Sequence, residues 1–105
     1  MFLNDMNSMD VSEALSIIKR GLKKEIVESK HFLDQCRDRN LEPASVREVL
    51  INNDLLGILE QDTDLYKILF FYEQRKDLNI ILKILPDKRL RLVTLFPCYS
   101  ERRKR

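Results

Sequence analysis

The chain has only two cysteines, Cys36 and Cys98, and a single histidine, His31. Two distant thiols make no disulfide framework and suit a reducing compartment. No C-x-x-C pair occurs, and a zinc site would need a carboxylate added to these three side chains, so no metal is expected. Apolar runs stay too short to span a bilayer. The opening Met1-Phe2-Leu3-Asn4-Asp5 turns polar too soon for a secretory signal. The expectation is a cytoplasmic protein without a membrane segment.

Charge of one sign is also scarce overall, since 19 basic residues face 17 acidic ones and the net charge is +2. The distribution is uneven. Residues 101–105 hold Arg102, Arg103, Lys104 and Arg105 against Glu101, which leaves the other hundred residues near −1. The cations gather at the C-terminal end as a local anchor for phosphates. With 105 residues, 44% of them hydrophobic and 34% charged, the chain has the balance of one globular domain. We read residues 1–9 as an aperiodic arm, 10–100 as a single α+β domain and 101–105 as a basic tail.

The first half is helical in pattern. Asp10 or Ser12 caps a helix whose stripe is Val11, Ala14, Leu15, Ile18 and Leu22. Lys19, Arg20, Lys23 and Lys24 crowd its last turns, so the helix is expected to stop near Lys24, although Gly21 blurs the end. Glu25 to Ser29 reads as a linker or a short extended segment. A second helix covers His31 to Asn40, with Ser29 as N-cap, Phe32, Leu33 and Cys36 on one side, and Asn40 as a left-handed cap. Pro43 opens a third helix with Val46, Val49 and Leu50 as its face, and Asn52-Asn53 stops it.

The second half is strand-like. Four runs, Leu55 to Glu60, Leu65 to Tyr72, Leu78 to Leu85 and Leu90 to Phe96, are apolar, β-branched or aromatic and separated by turn residues. Short connections force an antiparallel meander. Alternation puts Leu78, Ile80, Leu82 and Ile84 against the helices, and sets Leu90, Leu92, Thr94 and Phe96 opposite Arg91, Val93 and Leu95. The run Leu65 to Tyr72 is apolar on both faces, which marks a central strand or a surface for a partner. Tyr66, Phe70, Phe71, Tyr72 and Phe96 are expected mostly in the core.

The segment from His31 through Phe32, Leu33, Asp34, Gln35, Cys36, Arg37, Asp38, Arg39, Asn40, Leu41, Glu42, Pro43, Ala44 and Ser45 to Val46 resembles a helical signature of a small prokaryotic family. That signature has a histidine opening a helix, an arginine-rich helix end, a break, and a helix beginning near a valine. The family comprises uncharacterised domains grouped with RelE-like toxins and other small ribonucleases of α+β fold. The ending Leu90-Arg91-Leu92-Val93-Thr94-Leu95-Phe96-Pro97 is similar to its last strand. The resemblance covers roughly residues 25–99 and leaves the first helix as an extension. It implies two to three N-terminal helices packed on a four-stranded antiparallel β-meander, and metal-independent RNA cleavage on the open sheet face.

His31, Arg37 and Arg39 carry over from the helical motif, and Thr94 from the strand. Lys83, Tyr99 and the tail residues Arg102, Arg103, Lys104 and Arg105 are added from charge and location. Cleavage without metal needs a base for the 2′-hydroxyl, cations for the crowded phosphate and an acid for the leaving oxygen. His31 is the one side chain whose ordinary pKa lies near neutrality. Arg37 or Arg39 grips phosphate, Lys83 stabilises charge, and Tyr99 donates a proton or stacks on a base. Each residue also has an ordinary reading. Arg37 and Arg39 sit among Asp34 and Asp38 as surface ion pairs, Thr94 forms strand, and Lys83 reaches solvent. The expected function is a toxin-like endoribonuclease without a cofactor, acting on RNA (mRNA above all) and held by an antitoxin protein. The competing expectation is a non-catalytic RNA- or protein-binding module, a homodimer through the sheet.

Overall fold

The computed structural model describes residues 10–73 and 76–99, with Tyr99 by its backbone. The arm at 1–9 and the tail at 101–105 lie outside the described residues.

Helix α1 runs Val11–Gly21 and opens where Asp10 accepts the Glu13 backbone N–H at 2.8 Å. Its inner face buries Ala14, Ile17 and Ile18. The helix ends three residues before the expected Lys24, because Lys23 and Lys24 donate their N–H groups to Arg20 and Gly21 in a turn. Gly21 marks a close approach to the sheet, since a Cβ there would lie 2.7 Å from Leu90 Cγ.

Strand β1 is Val27–Glu28, helix α2 is Lys30–Asp38, and helix α3 is Pro43–Asn52. Ser29 caps α2 through the Phe32 N–H at 3.0 Å. Asn40, at φ 56°, lies just beyond the helix in the left-handed conformation expected of it. Pro43 opens α3, where its missing N–H costs nothing. Phe32 and Cys36 of α2 and Val46, Val49 and Leu50 of α3 are buried. Leu33, expected with them, is exposed.

The remaining strands are β2 (Leu55–Asp62), β3 (Leu65–Glu73), β4 (Lys76–Ile84) and β5 (Leu90–Tyr99). They form the expected antiparallel meander, but the sheet has five strands in the order β1-β5-β4-β3-β2 and is mixed. The correction comes from β1, which pairs parallel with β5, Val27 opposite Arg91 and Glu28 opposite Leu92. Glu25 to Ser29 reads in the sequence as a linker or a short extended segment, but two residues carry no period and a parallel partner more than sixty residues away leaves no local signal of the pairing.

The helices cover one sheet face. Tyr66, Ile68, Phe70, Leu78, Ile80, Leu82, Ile84, Leu90, Leu92 and Leu95 are buried in one cluster with the helical residues. Each such aliphatic or Phe side chain contributes about 1.5–3 kcal/mol by burial. The alternation expected for β4 holds. In β5 it breaks at a bulge, because Ile81 pairs with Thr94 while Leu82 pairs with Leu92. Val93 is the extra residue, so Leu95 turns into the core opposite Ile80. Thr94 and Phe96, expected on the face of Leu90 and Leu92, point the other way. Phe71, expected in the core, is 42% exposed.

Candidate nucleic-acid interface

The sheet face opposite the helices is built in cross-strand rows. Leu59, Lys67, Ile81 and Thr94 form one, and Leu69, Asn79 and Phe96 the next. Toward one end lie Asp62, Leu65, Lys83 and Arg91, and toward the other Phe71, Asp77 and Cys98. No helix covers this face among the described residues. Its two middle rows are mixed, with Leu59, Leu69, Ile81 and Phe96 apolar and Lys67, Asn79 and Thr94 polar. Lys67, Lys83 and Arg91 form no ion pair among the described residues and outnumber Asp62, the carboxylate in register with Leu65 at this end. Asn79 and Asp77 are buried at the other end, where Asn79 Nδ2 donates to Cys98 Sγ at 3.2 Å.

The sequence-predicted residues divide into groups. Lys83 and Thr94 share the open face. Thr94 is half-buried and Lys83 is exposed. His31 sits in the first turn of α2, exposed and without a hydrogen bond or ion pair among the described residues. That turn is fixed to β5, since the Ser29 N–H donates to the Leu92 carbonyl at 3.1 Å and its hydroxyl to the Val93 carbonyl at 3.0 Å. His31 therefore starts from the sheet edge beside the bulge that turns Thr94 outward.

Arg37 and Arg39 are not drawn into this region. They stand about 9 and 12 Å further along α2, at 1.5 Å per residue. Arg37 Nη2 pairs with Asp34 at 3.1 Å, and Arg39 Nε donates to Gln35 Oε1 at 3.3 Å. These are exposed contacts along one helix. Tyr99 ends β5, its backbone opposite Lys76. The Tyr99 side chain and Arg102, Arg103, Lys104 and Arg105 lie outside the described residues.

Sequence reasoning missed Arg91 and Lys67. Both cations sit at alternate positions of largely apolar strands, Arg91 within the last-strand motif but given no role there, and only the cross-strand register sets Arg91 beside Lys83.

Glu28 of β1 faces inward and pairs with Arg47 of α3, tying the edge strand to the helical layer. Burial, and then the Glu28 charge, push the Cys36 thiol up from its ordinary value. Burial also raises the Tyr66 phenol, helped by Glu60, Asp64, Asp10 and Glu13. Both groups stay neutral at physiological pH and belong to the core. Both cysteines are free. Among the described residues no cluster of His, Cys, Asp or Glu could hold a metal ion, and no helix is long and apolar enough to cross a membrane.

No protein-family model, curated protein or solved structure matches this chain.

Proposed function

We propose that the chain is a toxin-like, RNA-acting protein that binds single-stranded RNA on the open sheet face and cleaves it without a metal. The observation that carries this reading is the set of cations Lys67, Lys83 and Arg91, without ion pairs among the described residues, on the sheet face that no described helix covers. They lie on a sheet whose last strand leads into a basic sequence. Phosphates pair with the cations, and bases rest on Ile81 and Phe96.

In the catalytic step His31 takes the 2′-hydroxyl proton. The 2′-oxygen attacks the adjacent phosphorus, the bond to the 5′-oxygen breaks, and that oxygen is protonated by water, since Tyr99 lies at the other end of β5 from Arg91. The products are a 2′,3′-cyclic phosphate and a 5′-hydroxyl. Lys83 and Arg91 stabilise the charge that builds on the phosphate. Arg37 and Arg39 have no part in the step. An antitoxin partner and a cytoplasmic location belong to the same reading.

The test is binding and cleavage of a fluorescent single-stranded RNA. Lys83→Ala and Arg91→Ala each weaken binding and lower the salt slope by about 0.7, the value for one phosphate contact on a single strand. His31→Ala keeps binding and loses cleavage. Absence of RNA binding at low salt refutes the proposal.

A second reading rests on a different observation. Leu59 is 55% exposed and Phe71 42%, with Leu69 and Ile81 lying in the rows they bound. Such a face suits a homodimer through the sheet. Sedimentation decides it, because Leu59→Lys converts a dimer to a monomer and leaves a monomer unchanged.

A further inference from the structure

On the helical side, a groove of about 530 Å³ opens between α1, α3 and the β2–β3 end of the sheet. Its floor is apolar, with Leu22, Leu50, Leu55 and Phe70. Ile51 of α3 forms one wall and is 54% exposed. Lys19 and Lys23, four residues apart on one side of α1 and its terminal turn, form the other. The groove continues past Leu22, Lys23 and Ile51 into a second hollow of about 380 Å³, which adds Lys24 and Arg47.

The charges along this path do not cancel. Arg47 is engaged by Glu28, and Glu25 lies 3.6 Å from Arg89. Lys19, Lys23 and Lys24 form no ion pair among the described residues, and Asp54 is the one unengaged carboxylate lining the groove. An apolar trough edged by unneutralised lysines has the complement of an amphipathic helix with acidic flanks. An open, elongated trough also fits a helix better than a compact small molecule, which favours an enclosed pocket.

We propose that this groove is a docking site for an acidic amphipathic helix of a partner protein. Two or three helical turns seat leucine-type side chains against Leu15, Ile51 and Leu55, above the buried Leu22, Leu50 and Phe70. Glutamates on the flank meet Lys19, Lys23 and Lys24. The site lies on the layer of helices, away from the open sheet face, and does not depend on RNA binding there.

The probe is a fluorescein-labelled 14-residue helical peptide with leucine at i, i+3, i+4 and i+7 and glutamate beside them. A control peptide carries lysine in place of glutamate. Fluorescence anisotropy with the full chain reads binding, and amide chemical shifts locate it. The acidic peptide is expected to bind and to shift amides of α1 and α3, while the control does not. Lys19→Glu with Lys23→Glu weakens binding by about tenfold or more, as expected for reversing two charges at an interface. Ile51→Asp weakens it comparably and leaves RNA binding unchanged. Both variants change exposed side chains, and thermal unfolding verifies that they fold. Equal binding of the two peptides, shifts confined to the sheet, or binding indifferent to the lysines overturns the proposal. Lysine-dependent binding to phosphatidylserine vesicles without peptide binding overturns it as well, in favour of a lipid surface.

Discussion

Gly21→Ala sets helix propensity against packing, and the two effects have opposite signs. Alanine in a helix is favoured over glycine by about 1 kcal/mol. At this position, however, the new Cβ would sit 2.7 Å from Leu90 Cγ and 3.1 Å from each of its δ carbons. Leu90 is fully buried, so its branch point has nowhere to retreat. Overpacking of this kind costs about 1–3 kcal/mol. The net expectation is a loss of about 1 kcal/mol, or roughly 4–8 °C in Tm for a domain of this size. A double-mutant cycle separates the two effects. Leu90→Ala alone costs about 2–5 kcal/mol. In that background the obstruction is gone, and Gly21→Ala should stabilise by up to about 1 kcal/mol through propensity. The coupling between the two sites is then about 2 kcal/mol. Urea unfolding of the four proteins measures it. Stabilisation by Gly21→Ala in the native background, or coupling near zero, refutes the argument that α1 rests directly on β5.

Three further outcomes follow from the same structure. Ser29→Ala removes the α2 cap and leaves the Val93 carbonyl without its hydroxyl donor, so urea unfolding should show a loss of about 1–3 kcal/mol. The Cys36 thiol and Tyr66 phenol are held above their ordinary values of 9.0 and 10.0. Above those values the unfolded chain sheds protons that the folded chain keeps. Stability is therefore complete below about pH 9 and falls as pH rises through the folded values, which denaturation at pH 8 and pH 10.5 checks. Lys88, in the turn between β4 and β5, has φ 72°. Lys88→Gly should raise stability by about 1 kcal/mol by relieving left-handed strain, measured as a higher urea midpoint.

The parts of the fold legible in the sequence were those set by local chemistry. Asp10, Ser29 and Pro43 start the three helices, and Leu78, Ile80, Leu82 and Ile84 face inward as their spacing requires. Three features depend on distant pairing and were legible in part at most, the segment Glu25 to Ser29 reading as extended or linker without a partner. Val27 and Glu28 are a strand only because β5 lies beside them. The bulge at Val93 reverses Thr94 and Leu95, and nothing in the string Leu92-Val93-Thr94 announces it. Phe71 looked like core because residues 68–72 are apolar on both faces of β3, yet only one of those faces meets the helices. The candidate site divided along the same line. Lys83 was legible as a cation on a strand, Arg91 gained meaning only from its cross-strand partner, and Arg37 and Arg39 are engaged by neighbours on their own helix.

The pairing of Val27 and Glu28 with Arg91 and Leu92 makes assembly of the molecule depend on order of synthesis. The segment made early, from β1 into α2, has its docking partner in the strand made last. Until β5 has left the ribosome, Phe32 and Cys36 lack the surface they pack on, and Ser29 lacks both carbonyls it donates to. A growing chain halted before Leu90 therefore carries an unburied apolar helix and is a substrate for chaperones or proteases rather than a partly working protein.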